Sequence, residues 1–519
     1  MRAFLSALLC AAGLPAAEPI RSAIGVTREG APIECLLSAG DFDYLTAKTR
    51  ILLVGGLDNN PASTQAVRQA IAWFHGSAEA RRYHRDFAVS AVPDANPGRA
   101  PEGAFPPIGD AYAGTPHPEA MYLWRWIGMH APDLVLEVRA KIAGAEEASL
   151  TGALRAGSVP AGTGSIPARQ VGAETGFLRA QLRPLEPSPA RRAIQRRLAR
   201  SPREVARELE PHYGHELGEA VYIPAVALIG RLRLGLAGDV ERIVAPYAEG
   251  ARPALGPKPT GSHLSGHLVF AELSMRTGDR RYVDLVRAAA DLGFHPDGSM
   301  KESMPFHNEM SDAVFMGCPI LAKAGRLTGE GKYFDMSLRH MRFMLKLNLR
   351  TDGLHRHSPL DETAWGRGNG FPALGLALSL EDLPLGHPGR PEMLGLFRAH
   401  MEALLKHQDP TGTWHQVIDR PESYRELTAT AMIACAMRRG VRQGWIEKRR
   451  YEPAIARAWD AVKSRVASDG SLVDVCTGTG KQRSLRDYYD RTAILGRDPR
   501  GGAMALLLAT EMMDAGPVL

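Results

Sequence analysis

Between residues 312 and 371 the chain gathers side chains able to handle a sugar acid. Asp312 supplies a carboxylic acid and His357 an imidazole, two of the groups most used to move protons in a reaction. Trp365-Gly366-Arg367-Gly368-Asn369-Gly370-Phe371 then places two aromatic rings, a guanidinium and an amide within seven residues, with three glycines between them. Such a stretch can stack on a sugar ring, fork onto a carboxylate and bond a hydroxyl. Read as a loop, it presents Arg367 to a carboxylate and Trp365 and Phe371 to a sugar ring. The same residues also read as the start of a helix over Ala373 to Leu380, with Trp365 and Phe371 in its core. Asp312 has its own plainer reading as a helix cap, with Met310, Val314, Phe315, Ile320 and Leu321 as an apolar helical neighbourhood.

The elements that must carry these groups are helices. Ser201 caps a helix through Leu209, and Glu219 to Leu234 is apolar on one face. Further helices are expected near 264–277, 280–292, 309–326, 331–348, 368–380, 391–407, 424–440, 449–466 and 500–514, mostly separated by Gly or Pro. Periodicity here establishes a helical domain over 201–519. The earlier chain has another texture: Ile51 to Val54 and Phe87 to Val92 read as strands, Ser63 to Phe74 and Glu119 to Met129 as helices, an α/β layer. Residues 146–200 are rich in Ala, Gly, Pro and Arg and read as the end of that first domain, 18–200, plus a linker. Residues 1–17 read as an export signal, with Arg2, an apolar run from Ala3 to Leu14, and Ala16 and Ala17, so a periplasmic or extracellular location is expected.

Composition excludes some classes. At 519 residues, with 45% apolar and 23% charged residues, the chain is globular and long enough for several cores. The formal charge of +6 favours acidic partners weakly, and the densest basic run, Arg191 to Arg203, reads as a solvated helix face. No nucleic-acid motif is present, and no later apolar run reaches the ~20 residues of a membrane span. Cys35, Cys318, Cys435 and Cys476 are scattered without a C-x-x-C pair or a Cys/His spacing for zinc, so buried free thiols and no cofactor are expected.

Trp365-Gly-Arg-Gly-Asn-Gly-Phe371 resembles the W-x-R-G-N-x-(W/F) signature of the unsaturated glucuronyl and rhamnogalacturonyl hydrolases, glycoside hydrolase families 88 and 105. Ser311-Asp312-Ala313-Val314-Phe315-Met316-Gly317 is similar to their catalytic segment, and Gly353-Leu354-His355-Arg356-His357 to their G-L-x-x-H. Trp414 to Val417, Glu426 to Met432, Gly478 to Gly480 and Tyr488 to Arg491 follow in the family's order. The resemblance implies an (α/α)6 barrel of the six-hairpin glycosidase type, an acidic oligosaccharide substrate and no cofactor. It also implies hydration of the C4=C5 bond that a polysaccharide lyase leaves on a uronic acid. Asp312 would be the acid/base and His357, preferred over His355, a donor that orients the uronate or polarises the ring. Arg367 would pair with the uronate carboxylate, Trp365 and Phe371 would form stacking walls, and Asn369 would brace the loop or bond a hydroxyl. Trp414 and Gln416 would line the same cleft, Trp414 reading equally as core. The chain departs from the family at Gly261 to His267, where a second acidic residue is absent; His263, His267 and His307 are the residues expected to replace its contacts. A carbohydrate-binding or scaffold protein without catalysis is the alternative.

The first domain resembles the carboxypeptidase A-like zinc peptidases. The resemblance rests on Gly25 with Arg28-Glu29-Gly30 and Pro32-Ile33, Leu52 to Gly56, Pro93 to Pro97, Phe105 to Pro107, and Pro118 to Ala120. Their zinc ligands are not kept: Asp58 and Pro61 stand in the first pair and Arg139 in the third position. A proline has no ligand atom and a guanidinium repels a cation, so a metal-free domain without peptidase activity is expected.

Overall fold

The computed structural model describes residues 18–109, 112, 117–142, 149–157 and 162–513; the export signal expected over 1–17 lies outside the described residues. The chain begins with β1 (Ile20–Val26), β2 (Pro32–Leu37), β3 (Thr49–Val54), α1 (Pro61–Gly76), β4 (Phe87–Val92), α2 (Pro118–His130) and β5 (Leu134–Arg139). It continues through α3 (Leu150–Ala156), β6 (Ala168–Gly172), α4 (Phe177–Gln181) and α5 (Pro189–Leu198). The six strands form one mixed sheet in the order β1-β2-β4-β3-β5-β6. β3, β4, β5 and β6 run parallel, while β1 and β2 form an antiparallel margin. β3, β4 and β5 are near-continuous apolar runs because both of their faces are covered.

The helical region opens with α6 (Pro202–Leu209), α7 (Tyr222–Arg233), α8 (Ala237–Ala248), α9 (Gly261–Gly266), α10 (Leu268–Thr277) and α11 (Arg280–Ala290). There follow α12 (Ala313–Thr328), α13 (Gly331–Asn348), α14 (Gly366–Asp382), α15 (Arg390–Leu405), β7 (Trp414–His415), β8 (Arg425–Glu426), α16 (Leu427–Arg442) and α17 (Lys448–Arg465). The chain closes with β9 (Leu472–Cys476), α18 (Leu485–Tyr489), β10 (Ala493–Gly496) and α19 (Pro499–Met512). Neighbour contacts run from α7 to the broken pair α9 and α10, then through α12, α14, α16 and α19 back to α7. That ring is the inner layer of an (α/α)6 barrel. α6, α8, α11, α13, α15 and α17 pack outside it. Inner helices are buried on nearly every side, as α12 and α14 show, whereas α11 and α13 keep one wet face. Ser201 closes a capping box with Glu204 at the start of α6, the two side chains satisfying each other's orphan N–H groups.

The two regions share a core. Every residue of α2 is buried, including Glu119, Arg125 and His130. One apolar cluster joins Ile24, Leu52, Val54, Tyr122 and Trp126 to Trp365, Val417, Tyr424, Val473 and Tyr488. The stretch 146–200, expected to end in a linker, instead supplies the edge strand β6 and the helix α5, which packs on α17. Lys463 donates to the carbonyl of Leu198 at 2.7 Å and Arg197 to that of Ser464 at 2.9 Å, which ties the connection down. Among the described residues no helix is long and apolar enough to cross a membrane. Cys35, Cys318, Cys435 and Cys476 are buried free thiols.

Candidate active site

The starts of the inner helices meet at one end of the barrel. Tyr222 opens α7, Asp312 precedes α12, Trp365 precedes α14, Glu426 caps α16 and Asp498 caps α19. Parallel helices with their N-termini at one mouth bring the positive ends of their dipoles there; at α16 and α19 the carboxylates of Glu426 and Asp498 already accept from the first-turn N–H groups. The mouth is completed by the segment from Thr477 to Ser484 and by α18.

Asp312 and His357 are brought together. Asp312 Oδ1 lies 3.5 Å from His357 Nε2, with the aspartate side chain 13% exposed and the imidazole fully buried. Neither atom makes a hydrogen bond to the protein. The other imidazole nitrogen, Nδ1, lies 2.9 Å from the Tyr488 hydroxyl. That hydroxyl already accepts from the Gln482 N–H at 3.4 Å, so it is placed to give its own proton to Nδ1. With Nδ1 accepting, the ring proton sits on Nε2 and faces Asp312. Burial pushes the Tyr488 phenol up, which keeps it a donor. The loop is held from both sides, since Ser311 donates its N–H to the His357 carbonyl at 2.9 Å and its hydroxyl to the Gly368 carbonyl at 2.7 Å.

The glycine-rich stretch is the first two turns of α14, the helical of its two readings, and not a loop. Its glycines allow close approach. A Cβ at Gly366 would lie 2.5 Å from the His415 carbonyl oxygen, and one at Gly368 would lie 3.1 Å from Ser311 Oγ. Arg367 is 2% exposed and stacks 4.8 Å over the Trp365 ring. It donates Nη1 to the Cys476 carbonyl and Nη2 to that of Thr477, both at 2.8 Å. Burial pulls its pKa down, but Cys476, Tyr222, Glu426 and Asp312 outweigh that and raise it above the usual arginine value. Its charge is therefore fixed beneath the mouth.

Asn369 is a brace: its amide accepts from the His355 N–H at 2.8 Å and donates to the carbonyls of His355 and Trp365 at 2.8 and 2.9 Å. Phe371 is 1% exposed, packed against Phe315 and Tyr222 in the barrel core. Trp365 is equally buried and stands against His357, with ring centroids 4.4 Å apart. Trp414 is fully buried and donates to the Leu404 carbonyl at 2.8 Å. Gln416 is also buried; it donates to the Tyr488 carbonyl at 3.1 Å and leaves Oε1 unpaired.

The three histidines sit apart from Asp312 in role. His263 closes the cap of α9 through Thr260, His267 Nδ1 donates to the His263 carbonyl at 2.6 Å, and burial pushes His267 down to about 4. His307 receives the Glu309 N–H at 2.9 Å in a half-buried turn. Gly266 has no room for a side chain, because its Cβ would fall 1.8 Å from the Ala220 carbonyl oxygen. Among the described residues no group of His, Cys, Asp and Glu is arranged to hold a metal.

Two members of the mouth carried no assignment in the sequence reading. Tyr222 stands edge-on to Phe315 and Phe371, and its phenol senses the charges of Arg367 and Asp312. Tyr488 belongs to a quoted segment, but its contact with His357 spans 131 residues and has no local signal.

Comparison with known proteins bears on the helical region. Residues 258–515 match the model of Glycosyl Hydrolase Family 88. The chain is 26% identical over 231 residues to an unsaturated rhamnogalacturonyl hydrolase of Bacillus subtilis, across 41% of this chain and 65% of that protein. It is 29% identical over 182 residues to an unsaturated 3S-rhamnoglycuronyl hydrolase of Formosa agariphila, across 31% of this chain and 48% of that protein. The matched stretches thus span less than two thirds of either relative. Both relatives are glycosidases. In three dimensions, a family 105 glycoside hydrolase of C. acetobutylicum superposes with a TM-score of 0.51 at 21% identity, covering 60% of this chain and 98% of that one. A family 88 glycosyl hydrolase from Bacteroides vulgatus gives 0.50 at 18% identity, covering 60% and 99%. These structures speak for the fold alone. Ordered sequence motifs, a closed ring of inner helices and the family match over 258–515 agree: the C-terminal part of the chain carries a Glycosyl Hydrolase Family 88 domain.

Proposed function

We propose that the protein is a glycosidase that hydrates the C4=C5 bond of unsaturated uronyl oligosaccharides, the lyase products of pectin-like or related acidic polysaccharides. One observation carries the reading: Asp312 Oδ1 and His357 Nε2 face each other at 3.5 Å, buried and without other partners, at a mouth built from helix N-termini. The names of the two relatives support the substrate class.

In this reading Asp312 enters as the acid and gives its proton to C4; the electrons of the double bond form the new C–H bond and leave a cation at C5 shared with the ring oxygen. The carboxylate then takes a proton from water as its oxygen bonds C5, which regenerates the acid. The hemiketal opens and releases the neighbouring sugar. His357 Nε2–H steadies the carboxylate between the steps, and the helix ends with Arg367 beneath them favour the anionic substrate.

The first domain, in this proposal, is a carboxypeptidase-like scaffold that has lost its metal, in an exported protein. The mixed sheet supports the likeness. Arg139, at one zinc-ligand position, is tied to Glu102 and Glu137, and Asp58, at another, accepts from Ser63 Oγ at 2.7 Å and Ala140 N–H at 2.8 Å. The test is the ultraviolet absorbance of the C4=C5 bond in lyase-generated unsaturated disaccharides. Wild type removes it and Asp312→Asn does not; persistence of the absorbance with folded wild-type protein would leave a non-catalytic binding protein.

A further inference from the structure

Where the two regions meet, the protein leaves a cavity of about 20 Å3. That is room for one water-sized particle. Arg125, Trp126, Tyr424, Arg425, Arg465 and Asp474 are among the side chains that line it. Arg125 gives Nη1 to Asp474 Oδ1 at 2.8 Å and to the Ala493 carbonyl at 2.7 Å, while its Nε and Nη2 have no partner. Arg465 gives Nη1 to the Ala461 carbonyl at 3.2 Å, and its Nε has none. Trp126 Nε1 and the Tyr424 hydroxyl are likewise unpaired. These four residues are 1%, 4%, 6% and 2% exposed, so bulk water does not satisfy them.

The imbalance has one sign. Three guanidiniums line the cavity against one carboxylate, Asp474, which already accepts from Arg125 and, at 3.3 Å, from the Tyr112 hydroxyl. Asp409 neutralises Arg425 at 2.9 Å, and no described carboxylate forms an ion pair with Arg465. Burial pushes the Arg465 guanidinium below its usual range, and the nearby Asp474 and Asp409 do not make up for it. A water there would bring two more donors to a site already in surplus of donors. An anion accepts from all of them, and a small one suits a space of about 20 Å3.

We infer that the junction between the α/β region and the barrel holds a single monatomic anion, a chloride in ordinary salt, bound by the unpaired donors of Arg125, Trp126, Tyr424 and Arg465. The ion sits behind the catalytic mouth. Asp474 lies on β9, whose Cys476 carbonyl holds Arg367, and the Tyr424 carbonyl accepts the Gln416 N–H at 2.7 Å. It thus completes the joint on which the mouth rests, whatever the substrate.

Crystals of the full chain grown in bromide are expected to show an anomalous peak in this cavity. Thermal unfolding at matched ionic strength is expected to be about 2 °C higher in chloride or bromide than in gluconate. Trp126→Phe, which keeps the packing and removes one donor, weakens that dependence, and Arg465→Met abolishes it. A cavity with water density and no anomalous signal, together with equal Tm in chloride and gluconate, overturns the inference. The bromide measurement uses wild-type protein and stands even if a variant fails to fold.

Discussion

Charged side chains gather both at the strand ends of the α/β region and at the barrel mouth, and the two places differ in what those charges have left to give. At the strand ends of the α/β region, Arg139 directs its guanidinium to Glu137 and Glu102. One oxygen of Glu137 remains unpaired, but that side chain is fully buried and no ligand reaches it. At the barrel mouth, Asp312 and His357 keep one unpaired atom each, and Asp312 is open to the cleft. A charge cancelled inside the protein holds the fold. A charge left desolvated, unspent and reachable is available to a substrate.

Substitutions at the two places should separate them. Asp312→Asn is expected to lower kcat/KM on an unsaturated disaccharide by ~10³-fold, the scale of a lost general acid, with Tm little changed. Arg139→Gln is expected to do the reverse: activity within about twofold of wild type, but a stability loss of ~3 kcal/mol in urea unfolding, because Glu137 is left as a buried charge without its partner. Equal effects of the two substitutions on kcat/KM would erase the distinction.

A third expectation uses the barrel's buried imidazoles. Burial holds His267 and His340 down at about 4, against an ordinary value of 6.5. Below pH ~6.5 the unfolded chain takes up protons that the folded chain refuses, so stability is full above that pH and falls as pH drops toward 4. The loss is about 2–3 kcal/mol for each residue by pH 4.5. Denaturant midpoints at pH 7 and 4.5 check it, and His340→Gln should flatten the difference. The smallest expected effect is at Tyr488. Tyr488→Phe keeps the ring and removes the donor to His357 Nδ1, and should lower kcat by ~10-fold with KM nearly unchanged.

What the sequence made legible was local. α13 appears over the expected 331–348 because its apolar stripe is strong and its flanks are clear. The apolar runs of β3 and β4 were readable for the same reason. β1, β2 and β6 were not, since their identity as strands depends on partners elsewhere in the sheet. α8 hid behind Pro246, which lies inside the helix near its end. At the site, residue types could be read but not their commitments. Arg367 reads as a guanidinium for a ligand, and only the fold shows its donors turned to Cys476 and Thr477. Asn369 reads as a brace or a ligand contact, and the carbonyls of His355 and Trp365 make it a brace. Asp312 and His357 were each named by their motifs, but their facing each other at 3.5 Å and the support of His357 by Tyr488 come from the fold.

The most direct test of the central claim is to run the reaction in D2O and follow the product by NMR. If Asp312 delivers a solvent-exchangeable proton to C4, one deuterium appears at C4 of the product in the wild-type reaction, and Asp312→Asn forms no labelled product. Release of the neighbouring sugar with the C4=C5 bond intact, or labelling that survives Asp312→Asn, would contradict the account.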